Sequence, residues 1–150
     1  MRNGGSMTAP SPLGVKRCIR NAMLLAEIKA EEIDYINGHL TATMADPMEL
    51  RNWQEALELP DEKFPIINST KSMIGHALGA AGAIETVATL LQMNQGFVHK
   101  SLNCQDLHGD IEHLSQSIPQ EILEKNINIA AKASFGFGDV NSCIIFKAWS

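Results

Sequence analysis

The sequence predicts an α/β fold that ends in a β-hairpin, and three observations support this prediction. Segments with apolar residues at helical spacing alternate with short apolar runs that are typical of strands. Near the C-terminus, two strand-like runs at 127–134 and 142–146 flank a glycine-rich turn. The chain has 150 residues, 45% hydrophobic and 19% charged, so it can bury a core as one domain.

The first elements follow from proline positions and apolar spacing. The turn Pro10-Ser11-Pro12 predicts a helix from about 13 to 28. Its apolar stripe comprises Leu13, Cys18, Ile19, Ala22, Met23, Leu25, Ala26 and Ile28. Alternating apolar residues predict a strand at 33–38. A second helix is expected at 45–59, with Asp46 as N-cap and Pro47 in the first turn. Leu50, Trp53 and Leu57 lie at helical spacing in this helix and should face the core.

The second half continues the alternation. A strand is expected at 64–68, followed by a polar loop at 69–72 and a helix at 75–93. Glycine costs about 1 kcal/mol relative to alanine in an exposed helix, so Gly79 and Gly82 predict a buried helix with neighbouring backbone close to it. Residues 99–125 are polar and irregular, which indicates surface loops with a short helical piece.

Composition excludes several classes of function. Lys and Arg total 12 against 17 Asp and Glu, and this net charge of −5 argues against nucleic-acid binding and against a polybasic membrane module. No apolar window is long enough to span a bilayer. Three widely spaced cysteines form no disulfide framework and favour a reducing, cytoplasmic location. Residues 1–6 lack the apolar run of a signal peptide and are interpreted as a leader or cut end.

Three polar clusters follow predicted strands, where α/β folds place their sites. They span 37–43, 69–76 and 134–138. A histidine at a strand end or helix N-terminus can present a neutral N–H to developing negative charge, and so can a backbone N–H in a glycine-flanked turn. On spacing alone, each cluster is a weak signal for catalysis.

Other patterns predict no site. The glycine-rich segment 75–82 lacks G-x-G-x-x-G, and no glycines precede Lys71 as in a P-loop. Cys104, His108 and His113 have loose metal-ligand spacing, but no fourth ligand lies nearby. We therefore interpret them as surface-loop residues and expect no metal site there.

Read in order, five motifs closely resemble one family. Residues 7–10 resemble its M-T-A-P motif. Residues 36–43 resemble I-N-A-H-G-T-S-T, and Asp46 and Glu49 follow as in G-D-x-x-E. The other three motifs are S-T-K-S-x-x-G-H at 69–76, L-G-A-A-G-A-x-E at 78–85 and S-F-G-F-G-G-T-N at 134–141. The chain thus resembles the C-terminal half of beta-ketoacyl-acyl carrier protein synthases, from about Met7 to Phe146.

The resemblance implies a thiolase-like C-terminal half, in which helices cover a mixed sheet that ends in the hairpin. The activity it implies is a decarboxylative Claisen condensation of acyl and malonyl thioesters in fatty acid or polyketide synthesis. It implies no cofactor beyond the phosphopantetheine of an acyl carrier protein. Its implied partners are that carrier protein, the N-terminal half of the synthase and a second copy in a homodimer.

The resemblance also implies roles for individual residues. His39 and His76 would hold the malonyl thioester carbonyl and stabilise the enolate. Lys71 would order the His76 region, paired with Glu85 because a buried charge needs a partner. The Phe137 N–H would contribute to an oxyanion hole, and its ring would gate the acyl pocket. The pantetheine arm would contact two threonines, Thr41 and Thr43. A structural cation would lie near three further residues, Asn37, Glu85 and Ser134.

The sequence departs from the family pattern at several positions. Cys18, Cys104 and Cys143 match no nucleophile motif, so the nucleophilic Cys is expected in the N-terminal half. Leu40 replaces a glycine, which would shift His39 or narrow the pantetheine channel, since leucine avoids positive φ. Asp139-Val140 replaces Gly-Thr and adds a negative charge near the site. Ser6 stands where family members often carry His.

The sequence is also compatible with two other functions, and one group of basic residues is a candidate docking surface. A non-catalytic partner similar to chain-length subunits is favoured by Leu40 and Asp139 and disfavoured by the retained histidines. A thiolase-type enzyme would need a second cysteine near the last turn, and Cys143 lies beyond that turn. A candidate patch for an acidic carrier protein consists of Lys16, Arg17 and Arg20, although a solvated helix face is the favoured interpretation of these residues.

Overall fold

A four-stranded mixed sheet organises the chain in this computed structural model, which describes residues 7–8 and 10–149. The leader expected at 1–6, including Ser6, lies outside the described residues. The strands are β1 (Tyr35–Asn37), β2 (Ile66–Asn68), β5 (Ile129–Gly136) and β6 (Val140–Lys147), in the order β2-β1-β5-β6. The first three run parallel, and β5 and β6 form the antiparallel hairpin. The α/β fold with its mixed sheet and final hairpin is confirmed.

Two helices cover one face of the sheet. They are α1 (Pro12–Ala26) and α2 (Asp46–Leu57), both predicted from the sequence. Ser11 caps α1, and its hydroxyl accepts from the Gly14 N–H at 3.4 Å. The main apolar core lies between these helices and the side chains of alternate strand residues, which are Ile36, Ile67, Ile129, Ala131, Ala133 and Phe135. The period of two along each strand therefore sends these residues to one face.

The other face of the sheet packs against α4 (Ala81–Gln95), which follows the short helix α3 (Lys71–Ile74) and a 3-10 turn at Leu78–Ala80. A smaller apolar cluster lies here, formed by Tyr35, Val98, Ile127 and Ala130. Towards the carboxyl ends of the strands this face becomes polar, with Asn37, Asn68 and Lys132 buried. The polar residues that matter below therefore meet α4 inside the protein.

Residues 99–125 are more ordered than the sequence predicted. The segment contains a 3-10 helix (Gly109–Ser117), which matches the expected helical piece and buries Ile111 and Leu114. It also contains β4 (Leu123–Glu124), which pairs antiparallel with β3 (Phe97–Val98). The sequence did not predict this two-residue ladder, because it is too short to show an alternating pattern.

Three local predictions are wrong, and a fourth holds only in part. Ala45, not Asp46, is the N-cap of α2, and the polar loop at 69–72 runs into α3. On α1, Leu13 and Leu25 are exposed, and Gly14 and Val15 are buried instead. The helix expected to be buried along 75–93 packs with only one face in the described chain. No atom lies within 4 Å of a Cβ built on Gly79, and for Gly82 the nearest is the Ser134 Oγ at 3.8 Å.

Within the described chain, every helix is too short or too polar to cross a bilayer.

Candidate active site

The three polar clusters converge because they follow the carboxyl ends of β1, β2 and β5. These strands are parallel, so their ends open at the same edge of the sheet. The ring centroids of His39 and His76 lie 5.4 Å apart with their planes at 82°. Both rings line one cavity of about 440 Å³. Phe137 and the two threonines at 41 and 43 line the same cavity.

His39 is a neutral imidazole near physiological pH. Its pKa is lowered to about 4, first by burial of the ring and then by the positive charge of Lys71. Its ring also lies edge-on to Phe135, with centroids 6.4 Å apart. A neutral ring keeps one N–H and one lone pair, so it can donate a hydrogen bond to an oxygen that gains negative charge.

Glu49 fixes the backbone that carries His39. Its Oε1 accepts from the His39 N–H at 2.7 Å and its Oε2 accepts from the Leu40 N–H at 2.9 Å. Burial raises the pKa of Glu49 to about 7, although these hydrogen bonds oppose the shift. The sequence placed Glu49 in a motif without a role, and only the fold reveals this bidentate contact.

Leu40 does not adopt the strained conformation that the sequence suggested. The positive-φ residue of this loop is Ala42, at 57°. Leu40 packs against the core and lines a second cavity of about 500 Å³. Leu40 therefore has no strained backbone that would shift His39, and its side chain forms part of the wall of this second cavity.

The tautomer of His76 follows from its local turn. The Leu78 N–H donates to the His76 Nδ1 at 3.0 Å. Nδ1 is therefore an acceptor, and the neutral ring carries its proton on Nε2. His76 is exposed and lines both cavities, so its Nε2–H is available to a ligand.

The two predicted pantetheine contacts lie on the wall between the cavities. Thr41 and Thr43 line both, and their hydroxyl oxygens are 3.2 Å apart. Asp46 holds this loop, because its carboxylate accepts from the N–H groups of Thr41 and Ala42 at 3.1 and 3.0 Å. The carboxylate that was expected to cap α2 thus shapes the threonine loop instead.

Phe137 lies in a 3-10 turn between β5 and β6, and its side chain is 73% exposed. Gly138 has φ 72° and donates its N–H to the Met7 carbonyl at 2.8 Å. Asp139 accepts from the N–H of Ser11 at 2.9 Å and from the Asn141 Nδ2 at 2.8 Å. Asp139 lines a separate cavity beside α1, so the negative charge of its carboxylate lies near the start of that helix.

The ion pair expected between Lys71 and Glu85 is present, with Nζ 2.5 Å from Oε1. The structure adds a second lysine: the Lys132 Nζ lies 2.7 Å from Oε2 of the same carboxylate. All three side chains are at most 5% exposed. Lys132 was not predicted from the sequence, although a lysine inside the otherwise apolar or small run 129–133 is a visible signal.

Asn37 belongs to a buried hydrogen-bond network behind the histidines. Its Nδ2 donates to Thr70 Oγ1 at 2.8 Å and to Thr89 Oγ1 at 3.1 Å. His99, which the sequence analysis did not select, is also buried, and its carbonyl accepts from Asn68 Nδ2 at 2.5 Å. This network joins β1, β2, α4 and the segment after β3.

The donor set that the resemblance assigns to a cation does not fit a metal ion here. The Lys132 Nζ reaches Glu85 and lies 2.9 Å from Ser134 Oγ. Glu85 already has Lys71 as its other partner, so two ammonium groups share one carboxylate. A metal would add further positive charge beside a carboxylate that already has two ammonium partners.

The cysteines do not supply a nucleophile at the histidine cavity. All three thiols are free and half-buried, and Cys104 lines only the second cavity. Burial raises the pKa of each thiol, for Cys143 to about 12, which disfavours the reactive thiolate.

The remaining histidines make local contacts. His108 Nδ1 accepts from the Asp110 N–H at 3.2 Å, and His113 Nε2 lies 3.0 Å from Gln54. In the described part of the chain, no three His, Cys, Asp or Glu residues form a group that could hold a metal.

Comparison with known sequences identifies similar proteins. Residues 2–105 match the family described as "Beta-ketoacyl synthase, C-terminal domain". The 3-oxoacyl-[acyl-carrier-protein] synthase I, chloroplastic, of Hordeum vulgare is 38% identical over 135 residues, which cover 89% of this chain and 28% of that protein. The 3-oxoacyl-[acyl-carrier-protein] synthase II, chloroplastic, of Arabidopsis thaliana is 42% identical over 150 residues, which cover 95% of this chain and 26% of that protein. The chain therefore spans little more than a quarter of these relatives.

Comparison with solved structures agrees. One similar chain comes from the structure of a type II PKS acyl-carrier protein in complex with its ketosynthase bound to the hexaketide. The TM-score is 0.86 and the sequence identity 32%, and the match covers 100% of this chain and 37% of that chain. The ishigamide ketosynthase/chain length factor matches with a TM-score of 0.89 and 29% sequence identity, and the match covers 99% of this chain and 36% of that chain. A Beta-ketoacyl synthase from Burkholderia phymatum STM815 matches with a TM-score of 0.89 and 27% sequence identity, and the match covers 100% of this chain and 36% of that chain.

Proposed function

The chain belongs to the beta-ketoacyl synthase family through its C-terminal domain, and on this premise we propose that it is the C-terminal part of a 3-oxoacyl-[acyl-carrier-protein] synthase. In this proposal the complete protein joins acyl and malonyl thioesters by decarboxylative Claisen condensation. The observation that supports it most is the pair of facing imidazoles, His39 and His76, 5.4 Å apart in one cavity.

The two imidazoles suit the decarboxylation step. Breaking the bond between the malonyl carboxylate and its methylene carbon releases carbon dioxide and leaves the electron pair as an enolate. The thioester oxygen then carries negative charge, which the N–H groups of two neutral rings stabilise. His76 offers Nε2–H because its Nδ1 accepts from Leu78, and the low pKa of His39 keeps that ring neutral.

The condensation step requires a nucleophile from elsewhere in the protein. We assign the acyl-carrying Cys to the N-terminal half, because no thiol of this chain lines the histidine cavity. The enolate carbon attacks the acyl thioester, the new carbon–carbon bond forms, and the Cys thiolate leaves. On this basis the isolated chain is inactive in condensation, since it cannot form the acyl-enzyme.

The remaining roles follow from position. Lys71, held by Glu85, anchors α3 and so orients His76, which follows that helix. Thr41 and Thr43 suit contact with a phosphopantetheine arm, because they line both cavities. The exposed turn at Phe137 borders the histidine cavity, where its backbone N–H would stabilise an oxyanion and its ring would gate the acyl chain. No cofactor of the protein itself is required.

The partners of this proposal are an acyl carrier protein, the N-terminal half and a second copy of the synthase in a cytoplasmic homodimer. One similar structure contains a ketosynthase with an acyl-carrier protein. The basic residues of α1 offer little to such a partner, because Lys16 pairs with Glu55 at 2.5 Å and Arg20 with Glu58 at 2.6 Å. Arg17 is exposed beside them.

The test uses the complete protein and malonyl-acyl carrier protein. His76→Ala is expected to slow carbon dioxide release about 10²–10³-fold, the usual cost of one oxyanion-stabilising donor. His113→Ala, at an exposed residue that lines neither cavity, is the matched control and should release carbon dioxide at the normal rate. Unchanged release by His76→Ala would refute the assigned role.

A second candidate is a non-catalytic partner similar to a chain-length subunit. The similarity to the ishigamide ketosynthase/chain length factor favours it. The two proposals differ in one observation: a synthase forms an acyl-enzyme on a Cys of its N-terminal half, whereas a partner subunit does not. The thiolase-type alternative is less favoured, because Cys143 lies on β6 with a raised pKa and does not line the histidine cavity.

A further inference from the structure

We propose that the ammonium group of Lys132 is a built-in cation that takes the place of a structural metal ion beside Glu85. The resemblance implies a metal cation near Asn37, Glu85 and Ser134, and this chain carries a lysine side chain among the same groups. The protein would therefore hold its site without binding a metal ion at this position.

The first support is the set of oxygens around Lys132. Its Nζ lies 2.7 Å from Glu85 Oε2 and 2.9 Å from Ser134 Oγ, and it also donates to the Ala133 carbonyl. A carboxylate, a hydroxyl and a carbonyl are the oxygen ligands that a hard cation uses. The ammonium uses its three donors on these three oxygens, so they are no longer free to coordinate a metal.

The second support is the charge of the site. Glu85 is 1% exposed, and its other oxygen is 2.5 Å from Lys71. Two ammonium groups on one carboxylate give the cluster a net charge of about +1, and a buried charge without a partner is costly. A metal ion would raise this charge further, so the cluster should reject it.

The third support is the register of the sheet. Asn37 and Lys132 are paired on the parallel strands β1 and β5, so their side chains share the face that meets α4. Asn37 Oδ1 is buried and has no hydrogen-bond partner among the described residues. If Lys132 lost its ammonium group, Glu85 and Ser134 would become free to bind a cation together with the unpartnered Asn37 Oδ1.

The built-in cation has a consequence for the histidines. Through Glu85, Lys132 links β5 and α4 to Lys71 at the start of α3, and His76 follows that helix. Lys132 is therefore a positioning residue, and its contribution should not depend on the metal content of the buffer.

The first experiment uses the unaltered protein. Its melting temperature should be the same in choline, sodium, potassium and calcium chloride at matched ionic strength. Crystals soaked in rubidium or thallium salts should show no anomalous peak beside Glu85. A peak at that position would overturn the proposal.

The second experiment removes the ammonium group. Lys132→Ser should gain a saturable rise in melting temperature with sodium or potassium over choline, because the freed oxygens bind a cation. Lys132→Met is the matched control: it removes the same charge but fills the space, so it should lose stability without gaining a cation response. A cation-insensitive Lys132→Ser, or an equal response in Lys132→Met, would contradict the proposal.

If Lys132→Ser fails to fold in every salt, the anomalous measurement on the unaltered protein decides the question. None of these readouts depends on activity, so their outcome is separate from that of the proposed function.

Discussion

At the scale of single residues, the protonation of His39 is the property most closely tied to the proposed chemistry. Its pKa of about 4 lies below the usual 6.5, chiefly because the ring is half-buried. The unfolded chain therefore binds a proton more tightly than the folded one, and stability falls as the pH drops from about 6.5 towards 4.

We expect a ¹⁵N NMR titration of the protein to show His39 neutral down to about pH 5, consistent with its pKa of about 4. A His39→Gln variant should lose less stability than the unaltered protein between pH 6.5 and 4, as measured by urea unfolding. A midpoint near 6.5 for His39 would contradict this expectation.

Glu49 offers a second test at this scale. Glu49→Ala leaves the N–H groups of His39 and Leu40 without their acceptor, and each unsatisfied buried donor costs about 1–3 kcal/mol. We expect a corresponding fall in the free energy of unfolding. Glu49→Gln, which keeps one acceptor oxygen, should recover part of it, and equal losses in both variants would show that the hydrogen bonds do not matter.

Gly38 and Leu40 together replace the Ala and Gly of the family pattern, and the structure explains the pair. A Cβ on Gly38 would lie 2.9 Å from Glu49 Oε1 and 3.2 Å from Leu40 Cγ. An alanine at position 38 would therefore be crowded by both the Glu49 carboxylate and the Leu40 side chain.

We expect Gly38→Ala to destabilise the protein by about 1–3 kcal/mol through overpacking. Combining it with Leu40→Gly should cost less than the sum of the two single changes, with a coupling of about 0.5–3 kcal/mol. Urea unfolding of the four proteins measures the cycle. Additive losses would show that the two positions are independent.

At the scale of elements, Asp139 joins the hairpin turn to the start of α1. The N–H of Ser11 and then the Asn141 amide hold the pKa of Asp139 below its usual 3.8. The ionised Asp139 carboxylate therefore contributes to the stability of the fold above about pH 4, and this stabilisation is lost as the pH falls through the lowered pKa.

We expect Asp139→Ala to lower the melting temperature more at pH 7 than below the pKa of Asp139. A smaller loss should persist at low pH, because residue 139 has φ 63°, which alanine adopts less readily than aspartate. Asp139→Asn keeps an acceptor for the Ser11 N–H and should lose less. Differential scanning calorimetry at both pH values checks this, and an equal loss at both would contradict it.

The helix α4 has an unusual distribution of side chains. The residues that it buries against the sheet include the polar Glu85, Thr89 and Gln92, at most 2% exposed. Its opposite face exposes Ile84, Val87, Leu90 and Leu91 by 41–57%. An exposed apolar patch of this kind marks an interaction surface. The glycine-based expectation of a buried helix thus holds for one face, and the other face is available to pack against a further layer.

At the scale of the whole molecule, we expect that layer to be the N-terminal half of the proposed synthase. Val87→Glu should lower the melting temperature of the complete protein, because an unpaired buried charge costs several kcal/mol. The isolated chain should tolerate the same change. Leu25→Glu, at a residue 84% exposed on α1, is the control. Equal tolerance of both changes in the complete protein would exclude this face as the interface.

The fold itself was predictable in large part because its elements have local signals. Pro12 and Ser11 start α1, and Gly136 and Gly138 mark the hairpin turn. The two-residue strands β3 and β4 carried no such signal, and α3 has only four residues. The burial of Val15 instead of Leu13 depends on how α1 rotates against α2 and β6, which the spacing of apolar residues leaves open.

By itself, the sequence determined the order of the main elements, the final hairpin and the motif residues, because helical and strand periodicities and turn residues act over a few positions. Only the tertiary structure decided which partners the charged groups take. Asp46 binds the threonine loop, Asp139 binds Ser11, and Lys132 shares Glu85 with Lys71. These contacts join residues that are distant in the chain or belong to different elements, so they form only when the fold brings the groups together. For the buried Glu85, Lys71 and Lys132, an unpaired charge would also be costly.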